Sequence, residues 1–419
     1  MSELIRRDAA CLWHPYTQHQ TEADPLPVVA AKGSYLELED GRRLLDGISS
    51  WWTSLHGHGH PRLVEALRAQ TERLDHVLFA GTTHEPAVRL AERLVEISPA
   101  GLDRVFLSDN GSTAVEIACK IAYHAHVHRG EPERRVFLSL TGSYHGDTFG
   151  AMSLGDPDPL FRAYQPLLFQ VERAEPTADA LATAIERIGH RLAGVVLEPL
   201  VQGAGGMRFH SPEVLVRVRE ATRRAGVPLI ADEVMTGFGR TGRLFACEHA
   251  AITPDLMCLA KGLSGGIFPL AATLATNELF ECFLADDRGE GFPHGHSMTA
   301  SPMGCAVALE SLAMTLENDV PNKLNAIGTA IHARLRDRFE DLPATNLRHL
   351  GGIVAFDLEV GDAGYYSELT PALRAKAIEH GCLLRPLGNV VYALPPSSIT
   401  ETEAHQLAGA MIAMAELAR

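Results

Sequence analysis

Along most of this chain, short apolar runs alternate with stretches whose apolar residues recur every three or four positions. RVFLS precedes TAVEIACKIAYHAHV, RVFLSL precedes TGSYHGDT, and LAGVVLEPL precedes a glycine-rich loop. SPEVLVRVREATRRAG then leads into VPLIADE, and PDLMCLAK and LAATLAT follow. The runs have strand length, and the periodic stretches predict amphipathic helices. Strands with no polar alternation need cover on both faces, so the pattern predicts an α/β fold with a mostly parallel sheet between helices. Two further helices, LVEALRAQTERL and PAVRLAERLVEI, come before it. Residues 27–46 read as short extended segments, with Asp40-Gly41 marking a hairpin. After about residue 311 the order is helix, strands in GGIVAFDLEV and CLLRPLGNVVYAL, and a last helix from about Thr402. At 419 residues the chain exceeds the usual size of one core. The expected division is an N-terminal segment (1–55) joining the small domain and the active site, a large domain (56–310), and a smaller α+β domain (311–419).

Composition changes this picture little. Hydrophobic residues make up 46% and charged residues 21%, an ordinary globular balance. The formal charge of −15, from 37 basic and 52 acidic side chains, argues against nucleic acid or an anionic membrane as a bulk partner. Seven cysteines, an odd number with no CxxC pair, fit free thiols in a reducing compartment. MSELIRRDAACLWHPYTQ contains no apolar core of signal-peptide length, and no apolar run is long enough to span a bilayer. The expected location is the cytoplasm.

Ligands of open parallel sheets sit at the carboxyl ends of the strands, so the polar residues there are the first candidates. In SDNGSTAVE, Gly111 and Ser112 open a helix, where free N–H groups and a hydroxyl can cradle a phosphate; an ordinary helix cap reads the same way. Asp232 and Glu233 end a buried-looking strand, where a carboxylate needs a partner such as a protonated ring nitrogen. Lys261 ends another apolar run, a setting that lowers an amine pKa toward Schiff-base chemistry, although a lysine reaching out to solvent fits there too. The pairing is more telling than either residue. Asp232 and Lys261 stand one loop–strand unit apart, placed to hold the two ends of one cofactor ring.

Other patterns lead elsewhere. Gly237, Gly239 and Gly242 spell GxGxxG, but the following RLFACEHAAITP is too short and interrupted for the helix a dinucleotide needs. His56, His58 and His60 alternate like metal ligands, yet no Cys/His/Asp cluster completes a site, and no metal is expected. A GxSxG elbow is absent.

ADEVMTGFGRTG followed by PDLMCLAKGLSGG resembles the core signature of the class III (subgroup II) pyridoxal-phosphate-dependent aminotransferases of fold type I, and the likeness covers essentially the whole chain. It implies pyridoxal 5′-phosphate held covalently by Lys261, with Asp232 on the ring nitrogen, Gly111 and Ser112 on the phosphate, and Tyr144 against the ring. Freed Lys261 would shuttle the proton in ping-pong chemistry. WHPYTQ, DGISSWW, VQGAGGMRFHSPE and RTGRLFACEHA are similar to the biotin-pathway branch of the class, which moves an amino group from S-adenosylmethionine to 8-amino-7-oxononanoate. By that resemblance Tyr16 is counted with Lys261 and Asp232 among the catalytic residues and forms an aromatic substrate wall with Trp51, Trp52 and Tyr144, and Arg385 receives the substrate carboxylate. Asp147 and Gly295 join the substrate site, with Arg240 a further candidate. Tyr16 favours S-adenosylmethionine over lysine as donor.

The family is dimeric, with the site at the interface. It commonly reads HGPTF where the neighbouring subunit reaches the cofactor phosphate. Here HGHSM puts His296 in place of the proline and Ser297 in place of the threonine. Three alternatives stay open. One is a class III ω-amine or diamine aminotransferase with another donor or acceptor. A nicotinamide-dependent oxidoreductase and a non-catalytic binding protein are the others.

Overall fold

The computed structural model describes residues 2–156, 161–361, 364 and 367–419. A helix, Glu3–Cys11, is followed by three strands, β1 (Val28–Lys32), β2 (Tyr35–Leu38) and β3 (Arg43–Asp46). β2 and β3 form the antiparallel hairpin expected at Asp40-Gly41, where Gly41 takes φ +84°. Next come β4 (Arg104–Ser108), β5 (Val136–Leu140), β6 (Val171–Ala174) and β7 (Leu192–Leu197), then a short pair, β8 (Val201–Gln202) and β9 (Arg208–Phe209). β10 (Leu229–Asp232), β11 (Leu256–Leu259) and β12 (Ala271–Ala275) complete the central region.

Seven of these strands form one sheet in the order β4-β12-β11-β10-β7-β5-β6. Neighbours pair in parallel except at β12, which runs antiparallel to both β11 and β4. The expected mostly parallel sheet is there, covered on both faces. On one side, Ile230, Leu256, Cys258 and Ala271 pack with Ala114, Ala118 and Ile121 of the helix Gly111–His128. Their chain neighbours Leu229, Met257 and Ala272 turn to the other side, against Leu181, Leu215 and Leu90 of three further helices. The period of two along each strand distributes one apolar run between two cores.

Helices Pro302–Glu317 and Val320–Phe339 follow, so a single helix runs through the expected boundary near residue 310. β13 (Ala344–Leu350), β14 (Ile353–Leu358), β15 (Cys382–Leu383) and β16 (Val390–Ala393) come next, and the helix Glu401–Glu416, capped by Thr400, ends the chain. β13, β14 and β16 make one antiparallel sheet. β15 instead pairs in parallel with β3, tying the beginning of the chain to its end. Among the described residues no helix is long and apolar enough to cross a membrane.

Candidate active site

The carboxyl ends of β10 and β11 open onto a cavity of about 510 Å³ lined by residues from distant parts of the chain, among them Tyr16, Trp52, Ser112, Tyr144, Asp232 and Lys261. Lys261 follows β11 in a tight turn at φ +38° and is half-buried at the wall. Its amine lies 4.6 Å from the centre of the Trp52 ring. Burial lowers its pKa to about 8, against the pull of Asp232 and Glu198. A fraction of the amine is therefore neutral near pH 7, as a nucleophile requires.

Asp232, at the end of β10, is buried. Its Oδ2 is 2.6 Å from Nδ1 of His145, and its Oδ1 accepts from the Val234 N–H at 3.1 Å. Burial opposes charge on His145, yet the bond to Asp232 and the nearby carboxylates carry its pKa above the usual value. Glu198 closes the group from the end of β7. It accepts from the Tyr144 N–H at 3.0 Å and the Gly203 N–H at 2.8 Å, and burial raises its pKa to about 7.

Opposite, Asn110 caps the helix Gly111–His128 by accepting from the Thr113 N–H at 2.9 Å. The N–H groups of Gly111 and Ser112, in the first turn, have no intrahelical acceptor and stand at the positive end of the helix dipole. Gly146 packs so closely on Ser112 that a Cβ there would come within 1.9 Å of its hydroxyl. A lysine amine, a buried carboxylate and an anion-binding helix start around one aromatic-lined cavity match the three handles of pyridoxal phosphate: aldehyde, ring nitrogen and phosphate. The residues present fit that group.

An aromatic wall closes the mouth. The Tyr16 hydroxyl donates to Asp147 and lies 3.3 Å from the Tyr144 hydroxyl. Burial, with these two bonds, pushes its pKa well above the phenolic range. The Tyr16 and Trp51 rings are 5.7 Å apart, tilted by 60°, and the Arg385 guanidinium lies 4.9 Å from the centre of Trp51. Ser49 to Trp52 all have positive φ, from 45° to 75°, so the two tryptophans sit on a single left-handed turn.

The family model for class III aminotransferases matches residues 16–414. The chain belongs to the class III aminotransferases. An adenosylmethionine-8-amino-7-oxononanoate aminotransferase from Synechococcus elongatus is 46% identical over 414 residues, covering 96% of this chain and 97% of its own. One from Mycobacterium leprae is 42% identical over 428 residues, covering 98% and 96%. Among solved structures, an enzyme of the same name from Methanocaldococcus jannaschii superposes with a TM-score of 0.94 at 35% identity, covering 99% of this chain and 98% of its own. An omega transaminase from Pseudomonas jessenii in complex with PMP reaches 0.92 at 26% identity, covering 100% and 98%.

For this class III chain, the structure gathers Tyr16, Trp51, Trp52, Gly111, Ser112, Tyr144, Asp232 and Lys261 on one cavity, with Asp147 and Arg385 in contact with its wall. Gly295, His296 and Ser297 stay outside the cavity of their own chain; His296 Nε2 is 3.8 Å from Asp109 Oδ1. Glu233, paired with Asp232 in the sequence, takes a scaffolding place, accepting from Thr236, Ala246 and Cys247. Arg240 is buried, donating to the carbonyls of Pro395 (2.8 Å) and Trp52 (3.1 Å). The GxGxxG string is a series of turns running into a short 3-10 segment at Ala246–Ala250. Sequence reasoning missed His145 and Glu198. The argument that singled out Asp232, a carboxylate ending a continuous apolar run, applies equally to Glu198.

Proposed function

We propose that this class III aminotransferase transfers the amino group of S-adenosylmethionine to 8-amino-7-oxononanoate, giving the 7,8-diamine of the biotin pathway, with pyridoxal phosphate as cofactor. The observation that carries the reading is the Tyr16–Trp51–Arg385 cluster, whose two aromatic rings line the Lys261 cavity. Its aromatic faces suit a sulfonium cation, and its guanidinium suits the carboxylate of an aliphatic acceptor. The names of the relatives at 35–46% identity support the same substrates.

Pyridoxal phosphate supplies an electrophilic carbon and a ring that takes up negative charge. The protein's part falls to its own side chains. Lys261 would hold the cofactor through its amine, and that amine would serve as base and then acid for the proton at the substrate α-carbon. Asp232 would pair with the protonated ring nitrogen, with His145 orienting its carboxylate. Gly111 and Ser112 would hold the phosphate, and Tyr144 would lie against the ring. Tyr16, Trp51, Trp52 and Asp147 orient the donor and keep water from the reacting atoms, and Arg385 fixes the acceptor's carboxylate. A second copy supplies Gly295, His296 and Ser297 to the neighbouring site.

Adding S-adenosylmethionine to the purified yellow holoenzyme is expected to bleach its visible band, and 8-amino-7-oxononanoate to restore it. Bleaching by lysine but not by S-adenosylmethionine would replace the donor. A protein with no visible band after incubation with pyridoxal phosphate would overturn the cofactor assignment to Lys261.

A further inference from the structure

The LHGHGHP motif takes no part in the chemistry above, and its three imidazoles go to three different places. His56 Nε2 lies 3.1 Å from the carbonyl and from the hydroxyl of Ser311, within the core. His60 accepts from the Arg62 N–H at the start of the helix Pro61–Arg73. His58 does something different. Its backbone is pinned to Gly33 by two hydrogen bonds of 2.9 and 2.7 Å, and its Nε2 stands 2.8 Å from Oδ2 of Asp46.

Asp46 ends β3 with its side chain shut off from solvent. Besides His58, it accepts from the Ser50 hydroxyl at 2.8 Å and the Ile48 N–H at 3.2 Å. Ser50 lies inside the left-handed turn that carries Trp51 and Trp52. Residues with a Cβ are disfavoured in that conformation, so the turn persists only where its surroundings over-determine it. Within the turn, the Trp52 N–H donates to Ile48 at 2.7 Å and the Thr53 N–H to Ser49 at 2.9 Å. From outside, the Ser49 hydroxyl donates to the Leu394 carbonyl at 2.8 Å, and Ser50 is held by Asp46. Arg240 feels the charge of this carboxylate, but its guanidinium donates to the carbonyls of Trp52 and Pro395. Among the described residues His58 is thus the side chain from outside the turn that hydrogen-bonds this carboxylate.

We infer that His58, acting through Asp46 and Ser50, is a positioning residue that sets the Trp51–Trp52 turn and so the substrate-facing aromatic wall. If the turn relaxed, Trp51 would leave the face of Arg385 and Trp52 would leave Lys261. The inference rests on reading these tryptophans as substrate wall, but its first readout does not depend on which substrates the enzyme takes.

The chain has three tryptophans, and Trp13 is 91% exposed, so a Trp13→Phe background confines emission to Trp51 and Trp52. In the holoenzyme of that background, His58→Ala should raise acrylamide quenching severalfold. KM for the keto acceptor should rise about tenfold with kcat nearly unchanged, the mark of lost substrate positioning. His58→Gln, whose amide can still donate to Asp46, should restore most of both. Unchanged quenching and KM in His58→Ala would overturn the inference. So would a joint fall in kcat, KM and thermal midpoint that glutamine fails to rescue. Should His58→Ala not fold, Ser50→Ala removes the hydroxyl that bonds Asp46 and lies 3.5 Å from His58 Nε2; it should give the same quenching and KM pattern, and failure to do so overturns the inference equally.

Discussion

Lys261 has a lowered pKa because its surroundings withhold water from the ammonium form. Burial, offset in part by Asp232 and Glu198, brings its pKa to about 8. The neutral amine is therefore lost as pH falls below that value, not below the lysine value near 10.5. In cofactor-free protein, modification of Lys261 by a lysine reagent, followed by mass spectrometry, should titrate with a midpoint near 8. Asp232→Asn should move the midpoint lower, because Asp232 raises the pKa; a midpoint above 10 would contradict the desolvation argument. In the holoenzyme, Lys261→Ala should lower turnover by roughly 10²–10⁴-fold from lost proton transfer alone, measured with saturating external amine and cofactor. Glu198 has the opposite sign. Its folded pKa of about 7 lies above the ordinary carboxylate value, so its contribution to stability is fully present at low pH and is lost as pH rises through about 7. The thermal midpoint of Glu198→Gln should accordingly lose less than wild type between pH 5 and pH 8; equal losses in the two proteins would refute this.

At the scale of the element, two local arrangements matter most. The left-handed turn at Ser49–Trp52 costs roughly 1–2 kcal/mol per residue, a strain that the surrounding hydrogen bonds must offset. The helix start at Gly111 depends on Gly146, whose φ of +126° and contact with Ser112 leave no room for a side chain. Gly146→Ala should therefore weaken pyridoxal phosphate binding by about tenfold or more and destabilise the fold by about 1–3 kcal/mol. Equilibrium dialysis and thermal melts would check both, and unaltered affinity would show that the helix start does not hold the phosphate. The sheet strands and their helices were legible in the sequence because each is a local apolar pattern. The reversed direction of β12 was not, since LAATLAT reads the same in either sense. Nor was the left-handed turn, because SSWW contains no glycine to announce it.

For the whole molecule, the edge of the large sheet is the telling feature. Beside β4 lies an apolar cavity of about 790 Å³ lined by Phe79, Phe106, Phe280, Phe283 and Phe292. Exposed Leu284 and Val88 adjoin it. A second copy covering this side would bury the apolar surface and cap the sheet edge. Sedimentation equilibrium should give twice the 45.4 kDa chain mass, and a monomer at micromolar concentration would refute the arrangement proposed for His296 and Ser297. The sequence by itself determined the α/β class, the Asp232–Lys261 pairing and the family, because these reside in local patterns and in motifs of short span. Tertiary structure decided the rest. It brought Tyr16, Trp51 and Arg385 together, joined β3 to β15, and set His145 against Asp232 within electrostatic reach of Glu198. Those contacts link residues tens to hundreds of positions apart, and their geometry follows from how the packed elements meet, which no local run of residues encodes.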